Sequence, residues 1–202
     1  MNASMVRFGG IAIFVTLLLQ ILGRIAIGGG IGGRIIGLVA ALLLIFGFWA
    51  TKGYFNSKSY SKADMPILVL IGTTIITTIL SVFGVGGGLG GGMSSMGAGG
   101  LQILGIIALV ITLIMFLSWL WFGLTTMGFG ATGGGIWKAI GILYVIAMAG
   151  MALGILFVIL AAVAKSGGLI AVGGILALVG GLVLLAALIV HGIGLIQGAG
   201  KM

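Results

Sequence analysis

Residues 169–197 read LIAVGGILALVGGLVLLAALIVHGIGLIQ, with no Lys, Arg, Asp or Glu and a single ionisable side chain, His191. A helix needs about 20 predominantly apolar residues to cross the hydrocarbon core of a bilayer, and this stretch exceeds that length. It therefore reads as a membrane-spanning helix. Gly173, Gly180, Ala187 and Gly194 recur every seven residues along it. Small residues at that spacing form a stripe on one face, where a second helix backbone can approach closely. His191 lies four residues after Ala187 and three before Gly194, on or beside the stripe.

Five further apolar segments precede it, at about residues 8–27, 31–50, 66–85, 101–124 and 136–164. Together they predict an all-α, polytopic transmembrane bundle of about six spans, a single domain over residues 1–202 built from glycine-rich, close-packed helices. The composition agrees. Of 202 residues 61% are hydrophobic and only 5% charged, with a mean hydropathy of +1.47. A soluble domain carries about 25% charged residues, so this chain lacks the polar atoms to cover a water-facing surface. Forty-two glycines stand against one proline, Pro66, with no three-residue period, which excludes collagen. The absence of cysteine excludes disulfides and thiolate metal sites.

The segment nearest the stretch quoted above shares its character. Ala147, Gly154 and Ala161 are seven apart, and Gly150 and Gly154 form a GxxxG pair. The short link KSGG, residues 165–168, makes the last two spans antiparallel neighbours. Small faces left over would join copies or another subunit. The first two segments carry Arg24 and Arg34 beside the glycine run Gly28–Gly33. Both arginines can extend to the interface from there, and a re-entrant or tilted hairpin is the alternative. No small-x-small cleavage site follows the apolar run Ile11–Leu22, so the first segment reads as an uncleaved span.

Alternating crossings place Arg7, Lys52, Lys58, Lys62, Lys138 and Lys201 on one side and Arg24, Arg34 and Lys165 on the other. Cations concentrate on cytoplasmic faces, which predicts both termini in the cytoplasm and a multi-pass protein of the cell membrane. Trp49, Trp119, Trp121 and Trp137 fall at segment ends on that same side, where indole rings favour the headgroup level, with Tyr54, Phe55 and Tyr60. The net charge of +8 then means attraction to anionic lipid headgroups, through Lys52, Lys58 and Lys62 among others, rather than nucleic acid. Residues 51–65, TKGYFNSKSYSKADM, read as an interfacial link or a docking site for a partner. Residues 125–135 read as a second link on that side. On the opposite side, residues 84–100 carry no charge and no aromatic ring, which suits either an acidic exterior or neutral low complexity. FGFWATKG (46–53) loosely parallels FLSWLWFG (116–123), a weak hint of an internal repeat.

Chemistry is scarce. Two glycine runs match G-x-G-x-x-G, but neither has the strand–helix context or downstream acid of a dinucleotide site. Asp64, the only acid, precedes Pro66 by two residues and reads as a helix N-cap. His191 reads as a neutral imidazole bonded to a neighbouring helix, with a proton relay or haem ligation as the functional alternatives. Thr74, Thr77, Thr78 and Ser81 follow i, i+3, i+4, i+7, a hydroxyl face that either packs or, with His191, lines a polar path for a small solute. One Asp, one His and no Cys cannot supply an acid–base pair, a catalytic triad or a zinc site. No catalytic or metal-ligating residue and no cofactor is expected.

LLLIFGFWATKGYFNSKSYSKADMPIL (42–68) resembles a pattern in uncharacterised archaeal multispanning membrane proteins, in which an apolar span, a short aromatic and basic linker and a Gly/Ile-rich span follow one another. GGILALVGGLVLLAALIVHGIGLI (173–196) is similar to their final hairpins. The resemblance implies an archaeal membrane origin and carries over no activity. The expected function is non-catalytic: an accessory or scaffold subunit of a larger membrane complex, or a self-assembling homo-oligomer. A small channel or transporter through span three is the alternative.

Overall fold

The computed structural model describes residues 2–26, 31–82, 98–165 and 167–202. The expected glycine turn at 28–30, residues 84–97 of the uncharged stretch and Ser166 lie outside the described residues, as do the side chains of Arg24 and Ser81. Among the described residues there are six helices and no strand: α1 (Ala3–Ala26), α2 (Ile31–Ser57), α3 (Asp64–Val82), α4 (Ala98–Gly133), α5 (Gly135–Ala164) and α6 (Gly167–Ala199). Five of them are long and apolar enough to cross a membrane. The apolar part of α3, Asp64–Leu80, is shorter. At 1.5 Å per residue all of α3 reaches about 29 Å, close to the thickness of a hydrocarbon core.

Each helix packs on the next in sequence, and α6 returns to α1 while also touching α2. The six thus close into a ring. Neighbours in the ring run antiparallel, as where Gly10, near the start of α1, faces Gly192 near the end of α6, whereas α2 and α6 run parallel, Tyr54 near the end of α2 covering Gly198 near the end of α6. The Lys58 ammonium donates to the carbonyl of Lys201 at 3.3 Å. Both termini therefore sit at one end of the bundle, with Lys52, Lys58, Lys62, Lys138 and Lys201. Arg34 and Lys165 sit at the other.

Glycine sets how closely the helices approach. A Cβ on Gly154 would lie 2.8 Å from both the amide nitrogen of Ala177 and the carbonyl oxygen of Gly173. A Cβ on Gly180 would lie 2.8 Å from the amide nitrogen of Met151, and Gly150 faces the backbone of Gly180 at 3.2 Å. Gly173, Gly180, Ala187 and Gly194 are all buried. Between lipid-solvated helices such backbone contact brings in van der Waals attraction that a bulkier stripe would forbid.

Two links are more helical than composition predicts. Helix α2 continues seven residues past 50, to Ser57, and α4 continues nine past 124, to Gly133. The α4 extension, TTMGFGATG, is rich in weak helix formers. It is held by tertiary packing: Phe129 and Thr126 are fully buried, Phe129 meets Phe55 of α2 at 4.2 Å between centroids, and the hydroxyl of Tyr60 donates to the carbonyl of Thr125 at 2.7 Å. The chain reverses into α5 at one residue, Gly134, whose φ of +98° a side chain would strain. Asp64 is the first residue of α3 rather than a cap preceding it. Its carboxylate pairs with Lys52 at 3.6 Å and accepts from Asn56 at 3.5 Å. A negative charge in the first turn still opposes the helix dipole favourably.

Candidate functional site

Rings fill the interior at the end of the bundle that holds the termini. From α2 come Phe48, Tyr54 and Phe55; from α4, Trp119, Phe122 and Phe129; from α5, Trp137 and Tyr144. Tyr54 lies stacked on Trp137 at 5.3 Å between centroids, Phe55 meets Phe129 at 4.2 Å, and Trp119 meets Tyr144 at 5.1 Å. Each such pair contributes about 0.5–1.5 kcal/mol beyond its area burial.

This placement corrects the expectation for two of the four tryptophans. Trp49 and Trp121 are outward, at 51% and 45% exposure, whereas Trp119 is 9% and Trp137 1% exposed. Trp119 and Trp137 are core residues and do not meet headgroups. Tyr54 and Phe55, expected at the interface, are buried with them. Periodicity cannot separate the two kinds of site, because a ring is equally compatible with lipid and with a helix interior.

His191 of α6 stands among these rings, fully buried. Phe122 lies nearly parallel to the imidazole at 5.7 Å, and Trp137 meets it edge-on at 5.6 Å. Both ring nitrogens have partners. Nε2 is 2.9 Å from the hydroxyl of Thr51 on α2, and Nδ1 is 2.9 Å from the hydroxyl of Tyr144 on α5. The proton order follows by counting donors. A threonine hydroxyl has one hydrogen, and that of Thr51 donates to the carbonyl of Gly47 at 2.8 Å. Its oxygen therefore accepts from Nε2–H. A neutral imidazole then presents a bare Nδ1, which accepts from Tyr144 O–H. The reverse tautomer would leave the Tyr144 hydrogen without an acceptor among the described residues. Thr51, His191 and Tyr144 thus form a fully satisfied polar chain that ties α2, α6 and α5 together.

Neither Thr51 nor Tyr144 stands out in the sequence as a functional residue. Thr51 falls in a stretch that reads as a link, and a lone tyrosine inside an apolar span was the available signal for Tyr144. Thr51 points inward to His191, while its neighbour Lys52 points outward to Asp64. No contact joins the one acid to the one histidine.

The threonine face of α3 is separate. Thr74 donates to the carbonyl of Leu70 at 2.7 Å, Thr77 to that of Thr73 at 2.8 Å and Thr78 to that of Thr74 at 2.6 Å. These hydroxyl hydrogens are directed at their own helix, and the three residues are half-buried. The contacts of His191 run to α2, α4 and α5, and none of them reaches α3.

No protein-family model matches the chain, and no curated protein or solved structure matches it.

Proposed function

We propose that the chain is a non-catalytic multi-pass membrane protein that acts through assembly, with copies of itself or as an accessory subunit of a larger complex. The observation that carries this reading is the outer face of α6. Gly167, Gly174 and Gly181 repeat the seven-residue spacing of the buried stripe, yet a Cβ on any of them would meet nothing within 4 Å among the described residues. Around them Ile175, Leu178 and Leu182 are among the most exposed apolar side chains. Helix α6 thus offers outward the same close-packing pattern with which it holds α5, and such faces pack further helices in a bilayer. The satisfied hydrogen bonds of His191 support the same reading, since they leave no free donor or acceptor on the ring for a substrate.

Mass measurement of the protein in mild detergent tests the proposal. A stable dimer, larger oligomer or partner complex is the expected result, and Gly174→Leu with Gly181→Leu should dissociate it. A monomer at every protein concentration would overturn it. In the proposed orientation the basic end, with both termini, faces the cytoplasm.

A further inference from the structure

We infer that the α1–α2 edge of the basic end holds a binding site for one anionic phospholipid. Trp49, Lys52, Gly53 and Asn56 follow i, i+3, i+4, i+7 and so share one face of α2. With Ser57 and with Met5 of α1 they line a groove of about 550 Å³. That volume lies within the range of small-molecule pockets, roughly 300–1,000 Å³. Gly53 puts no side chain into the floor. The Lys52 ammonium stands 5.8 Å from the centre of the half-exposed Trp49 ring. An ammonium has three N–H donors. One direction is taken by Asp64, at 3.6 Å, which leaves others for a phosphodiester oxygen. Asp64 is not part of the groove wall, and its second carboxylate oxygen is covered by protein. The Asn56 carboxamide turns one N–H to Asp64 at 3.5 Å and keeps a second for the phosphodiester, while the Ser57 oxygen, whose hydrogen is on the carbonyl of Tyr54 at 2.7 Å, can accept only from a headgroup hydroxyl.

The occupant is a lipid rather than free phosphate because of what lies beneath. Stepping back from Trp49 by four and three residues, the same face of α2 continues through Ile45, Leu42 and Leu38, and Leu42 is 58% exposed. A polar groove set directly above an outward apolar stripe matches an amphiphile whose headgroup and acyl chain are covalently joined. The charge of the ligand follows from the setting: six of the nine cations of the chain lie at this end against its one acid.

The full-length protein in phosphatidylcholine vesicles provides the test. A minor fraction of phosphatidylglycerol or of phosphatidylcholine, brominated near the top of its chains, is added as a quencher. The Trp49 signal is the difference between the native protein and Trp49→Phe. Phosphatidylglycerol should quench it at about fivefold lower mole fraction than phosphatidylcholine. Lys52→Gln should abolish that preference, and Asn56→Ala, which keeps the Lys52–Asp64 pair, should weaken it. Lys62→Gln, an equal loss of charge outside the groove, should leave it intact. Equal quenching by the two lipids overturns the site. So does an equal effect of Lys62→Gln, which would mean diffuse attraction only. Displacement of the quencher by added inorganic phosphate would overturn the lipid as occupant. Each outcome is read whatever the oligomeric state, so it stands or falls apart from the assembly proposal.

Discussion

Removing the hydroxyl of Tyr144 isolates the energetics of the buried polar chain. In Tyr144→Phe the ring stays and Nδ1 of His191 loses the donor now 2.9 Å away. Hydrogen bonds between membrane helices average about 0.6 kcal/mol and reach about 1.7 kcal/mol. Leaving a buried acceptor unpaired costs about 1–3 kcal/mol. His191 has no exposed surface and is walled by Phe48, Phe122, Trp137 and Tyr144, so water cannot replace the lost donor. The expected loss is therefore about 1–2 kcal/mol. Thr51→Val should cost a similar amount by orphaning Nε2–H. The decisive variant is the triple Thr51→Val, Tyr144→Phe, His191→Leu, which removes donors and acceptors together. Replacing all partners by apolar groups of similar shape is close to neutral, so its loss should be about 1 kcal/mol or less. Titration with a denaturing detergent in mixed micelles, followed by tryptophan emission, measures all three, because Trp119 and Trp137 touch the site. A neutral Tyr144→Phe, or a triple variant as damaged as the sum of its parts, would show that the polar chain does not carry these bonds. The proton order has its own check: a nitrogen-15 spectrum of labelled histidine should show the Nε2–H tautomer, and an Nδ1–H form would reverse the assignment.

Gly154→Ala should destabilise the protein by about 1–3 kcal/mol through overpacking against α6, while Gly72→Ala, inside α3 where a Cβ would meet nothing within 4 Å among the described residues, should stabilise it by about 0.5–1 kcal/mol; equal effects in the same detergent titration would contradict the packing described. Thr74→Val with Thr77→Val should leave solute flux into liposomes unchanged, since those hydroxyl hydrogens already bond to their own helix; a loss of flux would restore the transport reading. Burial raises the Tyr60 phenol above its ordinary value of 10.0, where its hydroxyl donates to the carbonyl of Thr125 at 2.7 Å. The folded state thus favours the protonated phenol, a contribution complete below the unfolded value and lost as pH rises from there through the folded one. Tyr60→Phe should flatten that alkaline loss of stability, and an unchanged pH profile would show the bond to be idle. Because the chain has no cysteine, single cysteines at Lys201 and Lys165 report orientation: an impermeant maleimide on intact cells should label only Lys165→Cys.

Much of the architecture was legible from local pattern. The length of residues 169–197 is enough for a spanning helix. The seven-residue recurrence of Gly173, Gly180 and Ala187 already placed small residues on one face, and the geometry sets that face against α5. The side of the bundle with most cations was legible too, because charges must leave the hydrocarbon wherever the chain turns. The link at 125–135 was not, since only the burial of Thr126 and Phe129 keeps those weak helix formers wound.

Composition and periodicity establish the class of the protein: helical, apolar and glycine-packed, with charge sorted to the ends and almost no side-chain chemistry. Which rings face inward follows from tertiary packing, not from local pattern. Packing separated Trp119 and Trp137 from Trp49 and Trp121, and it brought Thr51 and Tyr144 to His191 from helices far apart in sequence. The reason lies in the solvent. In water an apolar stripe identifies the buried face of a helix, but in lipid both faces are apolar, so periodicity no longer says which way a side chain points. Only the packing of one helix against another supplies that information.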